Sequence, residues 1–175
     1  MDASRETARN DPGKANRLAG ASTVGLFAAT GPADRHQRSM TPTKPLPQPD
    51  AESQEFWEGV KARELKLQRC GPCRRFRFYP RAVCPHCLSG EFEWVTASGR
   101  GTLYSFTVCH RAASEAFAAD VPYIVALVEL DEGVRLLSNL IGCPHDQARV
   151  GMPVEVVFED ASSDITLYKY RPSTS

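Results

Sequence analysis

Hydrophobic positions along the chain change texture near residue 64. Before it, Phe56, Trp57 and Val60 recur at helical spacing, with Glu52, Glu55 and Glu58 around them. That pattern predicts a short amphipathic helix over 50–63, capped by Asp50 or Ser53 and favoured by its acidic N-terminal half. From Glu64 onward the apolar residues come in short runs: ELKLQR, FRFYP, EFEWVTA, GTLYSFTVCH, PYIVALVEL, VRLLSNLIG, PVEVVFED and ITLYKYRP. Turn residues separate them, so they read as strands. The alternation of Thr102, Tyr104, Phe106 and Val108 predicts a half-buried strand, and Asp131-Glu132-Gly133 a hairpin between PYIVALVEL and VRLLSNLIG. The last five of these runs, with 144–150 joining the third to the fourth, suit a small closed barrel of the OB type. Ser98-Gly99-Arg100-Gly101 joins two strands and reads as a tight turn or bulge rather than a phosphate loop.

Residues 1–50 cannot contribute to that core. They hold one of the chain's 15 aromatics, Phe27, and 6 of its 13 prolines. Pro42, Pro45, Pro47 and Pro49 make an extended leader. Met40 stands just before it, which predicts a natural start at Met40 with 1–39 as an upstream extension. The expected organisation is a disordered extension and Pro-rich leader over 1–49, a helix over 50–63, a cysteine-bearing ribbon over 64–90 and a barrel over 91–172. The longest apolar run, residues 121–128, is far short of the roughly 20 residues that cross a bilayer. Charged residues interrupt every candidate signal sequence, so the expected compartment is the cytoplasm, where cysteine pairs more often bind metal than form disulfides.

Cys70-Gly71-Pro72-Cys73 and Cys84-Pro85-His86-Cys87 carry the strongest chemical signal. Two such knuckles ten residues apart bring four thiolates to the corners of a tetrahedron and predict a closed, structural zinc site. Cys-Pro-His-Cys also serves disulfide exchange, but that chemistry places the first cysteine at the start of a helix, and here Leu88-Ser89-Gly90 leads into a strand. Cys109 and His110 are neighbours on a strand and point to opposite faces, so they make no nucleophile and base pair. His110 stands where a strand ends, positioned either to touch a ligand or simply to meet solvent. Cys143 and His145 flank a proline turn and read as structural. No Ser, His and acid set stands at recognisable positions.

The chain has 21 basic and 21 acidic residues, but they are segregated. Residues 51–60 sum to -3, 61–81 to +7 and 82–175 to -6. The cationic block holds Lys61, Arg63, Lys66, Arg69, Arg74, Arg75, Arg77 and Arg81, interleaved with Phe76, Phe78 and Tyr79. A basic ribbon on an OB barrel admits a single-stranded nucleic-acid-binding reading. The acidic barrel opposes it, because it would repel a phosphate backbone. Some of the arginines offset the formal -2 charge of zinc with four thiolates; the others are free for a small anionic ligand or an acidic partner.

From about residue 45 to 172 the chain resembles the DUF35 family. The resemblance rests on FWEGVKARELKLQRCGPCRRFRFYPRAVCPHC, GRGTLYSFTVCHR, PYIVALVELDEGVRLLSNLIGC and VGMPVEVVF, in that order. It implies a mainly β protein with an N-terminal helix, a rubredoxin-like zinc ribbon and a five-stranded OB-fold barrel, and zinc on Cys70, Cys73, Cys84 and Cys87. It also implies an accessory subunit associated with acyl-CoA, whose thiolase-like partner supplies the catalytic residues for condensation or retro-aldol cleavage. On that footing Phe56 and Trp57 are expected to dock the partner, and Arg74, Arg75 and Arg77 to hold the phosphates of CoA. Phe106, His110, Phe117 and Asn139 are expected at the acyl end of the thioester.

Overall fold

The computed structural model describes residues 43–173. They form helix α1 (Gln54–Lys61), strands β1 (Lys66–Cys70), β2 (Phe76–Arg77), β3 (Phe92–Thr96) and β4 (Arg100–Cys109), and a 3-10 turn (Glu115–Phe117). Strands β5 (Tyr123–Leu130), β6 (Arg135–Leu140), β7 (Pro153–Asp160) and β8 (Thr166–Pro172) complete the chain. The first three strands make a small sheet of order β2-β1-β3, and the other five close into a barrel of order β4-β5-β6-β8-β7. Residues 1–42, with the expected extension and the start at Met40, lie outside the described residues.

Helix α1 begins at Ser53, but its first turn is fastened by Asp50. The Asp50 Oδ1 accepts the Ser53 backbone N–H at 2.9 Å and the Ser53 hydroxyl at 2.5 Å. The Ser53 hydroxyl and backbone bonds hold the Asp50 carboxyl below its ordinary value, since they favour its ionised form. At the other end Glu64 N–H reaches Gly59 O (2.8 Å) and Arg63 N–H reaches Val60 O (3.0 Å), the pair of bonds that defines a Schellman cap. Arg63 takes the left-handed position with φ 65, where glycine is usual, and its guanidinium pairs with Asp160 at the end of β7.

In the barrel, β5 shows the alternation that an amphipathic strand requires. Ile124, Ala126, Val128 and Leu130 point inward, meeting Leu103, Leu136, Leu140, Val154 and Tyr170 in one core. Strand β4 is half-buried as expected, but the face it buries changes along its length. A β-bulge between Leu103 and Ser105 shifts its register against β5, so Gly101 and Leu103 face inward before it, and Phe106 and Val108 after it. Thr102 and Tyr104 are therefore exposed whereas Phe106 and Val108 are half-buried, and the Tyr104 ring lies under the Arg135 guanidinium at 3.5 Å. Gly101 is required where β4 crosses β5: a Cβ there would stand 2.2 Å from the Glu129 carbonyl oxygen.

Two expectations about the modules change. EFEWVTA, counted with the barrel by a boundary at 90, pairs with β1 from Lys66↔Thr96 to Cys70↔Phe92 and belongs to the ribbon sheet. The aromatic face of α1 is consumed within the chain. Phe56 is 0% exposed and stacks on Trp57, Phe78, Tyr79 and Tyr168, side chains of the helix, the ribbon and the barrel. Trp57 is half-buried and donates its indole N–H to the Tyr79 hydroxyl at 2.9 Å. These edge-on aromatic contacts join the three modules into one hydrophobic cluster.

Candidate metal centre and the groove over the barrel seam

The two knuckles are near copies of one another. In each, the residue after the second cysteine is left-handed, Arg74 at φ 59 and Leu88 at φ 61. Its N–H returns to the first cysteine's carbonyl, Arg74 to Cys70 at 3.0 Å and Leu88 to Cys84 at 2.9 Å. The first cysteine's N–H then bonds the carbonyl five residues on, Cys70 to Arg75 and Cys84 to Ser89. This closed turn points both thiols of a knuckle the same way, and the two knuckles face each other.

All four sulfurs lie within 4.8 Å of one another. Cys70 and Cys87 are 3.4 Å apart, and Cys73 and Cys84 3.7 Å. Zn–S bonds of about 2.3 Å in a tetrahedron put the sulfurs about 3.8 Å apart, so the donor set fits zinc without rearrangement. The N–H groups of His86 and Cys87 lower the Cys84 thiol to about 6. The Cys73 N–H pulls the Cys70 thiol down, but burial and the neighbouring thiols outweigh it and push that thiol up to about 12. His86 turns outward to the Arg75 guanidinium (3.0 Å) and is no fifth ligand. The set is closed, and the zinc it holds is structural.

The cationic block around this site is spent mainly on internal contacts. Arg69 and Arg74 both bind Glu93 Oε1, at 2.9 and 2.8 Å, and the Arg69 bond leads in holding that carboxyl below its ordinary value. Lys66 pairs with Glu55. Arg77 is 4% exposed; it donates to Gln68 Oε1 (2.7 Å) and the Arg81 carbonyl (2.9 Å), and its plane lies 4.8 Å from the Phe92 ring. Its Nη1 is buried without a hydrogen-bond partner. Of the three arginines expected to bind phosphate, Arg77 is thus an interior residue and Arg74 shares Glu93 with Arg69, while Arg75 is exposed.

The barrel carries a groove of about 970 Å³. It lies over the seam between β6 and β8, where the two parallel strands share the single pairing Leu140↔Tyr170. Side chains bridge the gap: Ser138 Oγ donates to the Tyr168 carbonyl (2.7 Å), and the Tyr168 hydroxyl to the Leu137 carbonyl (3.2 Å). Burial pushes the Tyr168 hydroxyl up to about 12. Tyr123, Val125, Leu137 and Leu167 give the groove an apolar floor, and Lys169 paired with Glu159 borders it.

Phe117 and Asn139 line this groove, whereas Phe106 and His110 do not. Phe106 packs against the core and His110 is exposed beyond the end of β4. Asn139 also donates to the Ile124 carbonyl (3.1 Å), tying β6 to β5. Leu137 was missed by sequence reasoning, although VRLLSNLIG carries a signal for it. Leu136 and Leu137 are adjacent and both apolar, so one must face outward, and Leu137 is 63% exposed. Lys44, Pro45, Leu46 and Pro47 of the leader line the groove as well.

A four-cysteine ribbon sheet packed through a helix onto an OB barrel defines the class of protein. The family model described as the ChsH2 rubredoxin-like zinc ribbon domain matches residues 57–93, and that of the ChsH2 C-terminal OB-fold domain matches residues 94–159. The chain belongs to the DUF35 family of ChsH2-type zinc-ribbon and OB-fold proteins. It is 34% identical over 121 residues to a DUF35 domain-containing scaffold protein of Methanocaldococcus jannaschii, covering 66% of this chain and 85% of that one. It is 44% identical over 119 residues to a probable enoyl-CoA hydratase alpha subunit of Thermomonospora curvata, covering 67% of this chain and 37% of that one. The chain thus spans little more than a third of that relative. The benzoylsuccinyl-CoA thiolase subunit BbsA of Thauera aromatica is 35% identical over 88 residues, covering 48% of this chain and 56% of BbsA. Among solved structures, an Ltp2-ChsH2(DUF35) aldolase chain superposes with a TM-score of 0.67 at 40% identity, covering 73% of this chain and 99% of that one.

Proposed function

We propose that the chain is an accessory subunit of a thiolase-like enzyme and that it holds a CoA thioester while the partner makes or breaks a carbon–carbon bond. The groove over the β6–β8 seam carries the reading: its volume is of the size that takes a small molecule, and its floor is apolar. Relatives described as a CoA thiolase subunit, a CoA hydratase subunit and an aldolase component support the same class of substrate. The zinc ribbon's part is architectural. It holds Phe78 and Tyr79 against Phe56 and so fixes the helix between the modules. Among the described residues no helix is long and apolar enough to cross a membrane.

The nucleic-acid alternative needs a free cationic surface, and the ion pairs of Lys66, Arg69 and Arg74 remove much of it. Titration with decanoyl-CoA and with a single-stranded oligonucleotide, each at low and moderate salt, separates the two. The reading predicts saturable decanoyl-CoA binding that Leu137→Glu weakens by about tenfold or more, since the change puts a charge on the apolar floor. Oligonucleotide binding that falls steeply with salt, with no response to decanoyl-CoA, would overturn it.

A further inference from the structure

One wall of the groove is formed by the leader itself. Residues 44–49 belong to no helix or strand, yet Lys44 to Pro47 line the groove that β5, β6 and β8 form. Lys44 is the fastening. Its ammonium pairs with Asp120 Oδ2 at 2.5 Å and stands 5.7 Å from the centre of the Phe117 ring. Both contacts lie on the connection from β4 to β5, while Leu137 and Lys169 lie on β6 and β8. Pro45 and Pro47 restrict the backbone to extended geometry and cannot donate to a sheet, so this segment lies along a wall without joining it. Little conformational freedom is lost in placing such a segment, and little binding energy is needed to hold it.

We infer that the leader is a latched strap along the barrel groove: residues 43–47 close one side of it in the free chain, and the Lys44–Asp120 pair must open to admit a ligand. The latch is weak by construction. Its side chains are 48% and 38% exposed, a setting in which an ion pair shifts an equilibrium only a few-fold and is screened by salt. Leu46, 36% exposed between two prolines, is the apolar side chain that a ligand entering the groove displaces. Where the ligand is a CoA thioester the strap rests on the function proposed above, but its closure over β6 does not.

Charge reversal tests the latch on the full chain. Hydrogen exchange of segments 136–140 and 166–169 is followed in the wild type, Lys44→Glu, Asp120→Lys and the double reversal. Each single change is expected to accelerate exchange in both segments by about two- to fivefold. The double reversal restores the wild-type rate, and added salt accelerates the wild type but not the single variants. Single variants that exchange like the wild type, or a double variant that stays fast, would overturn the strap. Decanoyl-CoA titration of the same four proteins separates the claims: tighter binding by the single variants supports both. No binding by any of the four, with the exchange pattern intact, contradicts the CoA reading and leaves the strap standing.

Discussion

Cys84→Ser, or chelation of the metal, is expected to unfold the ribbon over roughly residues 66–96 and leave the barrel folded. The ribbon sheet has three strands, one of them two residues long, and its buried apolar side chains are few. Structural zinc supplies about 10–16 kcal/mol of apparent binding free energy in comparable small modules, more than such a sheet gains from burial. Cys84 is itself buried, and serine in its place leaves a hydroxyl that is a poor ligand for the ion. The barrel keeps a closed sheet and its own core from Leu103 to Tyr170, so it has no need of the metal. Metal content by mass spectrometry should fall from one zinc per chain to none, with rapid exchange confined to the ribbon and α1. Acid should do the same reversibly, because binding releases thiol protons and stability is lost as pH falls. Barrel amides that lose protection together with the ribbon would contradict this division.

Phe56→Ala should destabilise the isolated chain by about 3–5 kcal/mol, the range for a large aromatic lost from a packed interior. That corresponds to a fall in Tm on the order of 10 °C for a domain of this size. The reason is geometric: the ring touches the ribbon through Phe78 and Tyr79 and the barrel through Tyr168, so its loss opens a cavity where the three modules meet. Trp57→Ala removes a half-buried ring and its bond to the Tyr79 hydroxyl, and should cost less. A docking role for Phe56 predicts the reverse, an unchanged Tm with a weakened complex. Differential scanning calorimetry of the two variants, without any partner, distinguishes these outcomes.

What could be read in the sequence follows from the range of the interaction involved. The knuckles are local, and spacing alone reveals them, as does the hairpin at Asp131-Glu132-Gly133 with its left-handed Gly133. The bulge in β4 is also local, yet GTLYSFTVCH supports an alternating face in either phase, and only pairing with β5 selects one. Assignment of β3 to the ribbon depends on its pairing with β1, more than twenty residues away in the chain. The same holds for charge. Summed by blocks, 61–81 reads as a free cationic field, but Glu93, just beyond the block, draws in Arg69 and Arg74. The orientation of Phe56 was ambiguous for a further reason. An apolar helix face must be covered, and periodicity does not say whether the same chain or another covers it.

The candidate groove was half legible. Phe117 and Asn139 were expected at a ligand, but the groove they line lies at the seam where β6 and β8 share the single pairing Leu140↔Tyr170. No local pattern encodes that pairing. The leader was visible as a proline-spaced segment, while its seat on the barrel depends on Lys44 meeting Asp120 across 76 positions.

Mixing the purified chain with the thiolase-like protein of its own host, followed by native mass spectrometry and an assay of CoA thioester cleavage or condensation, tests the central claim most directly. The account predicts a stable complex of defined stoichiometry and an activity that neither protein has alone. A thiolase-like protein that is soluble and fully active by itself, with no complex on mixing, would contradict it.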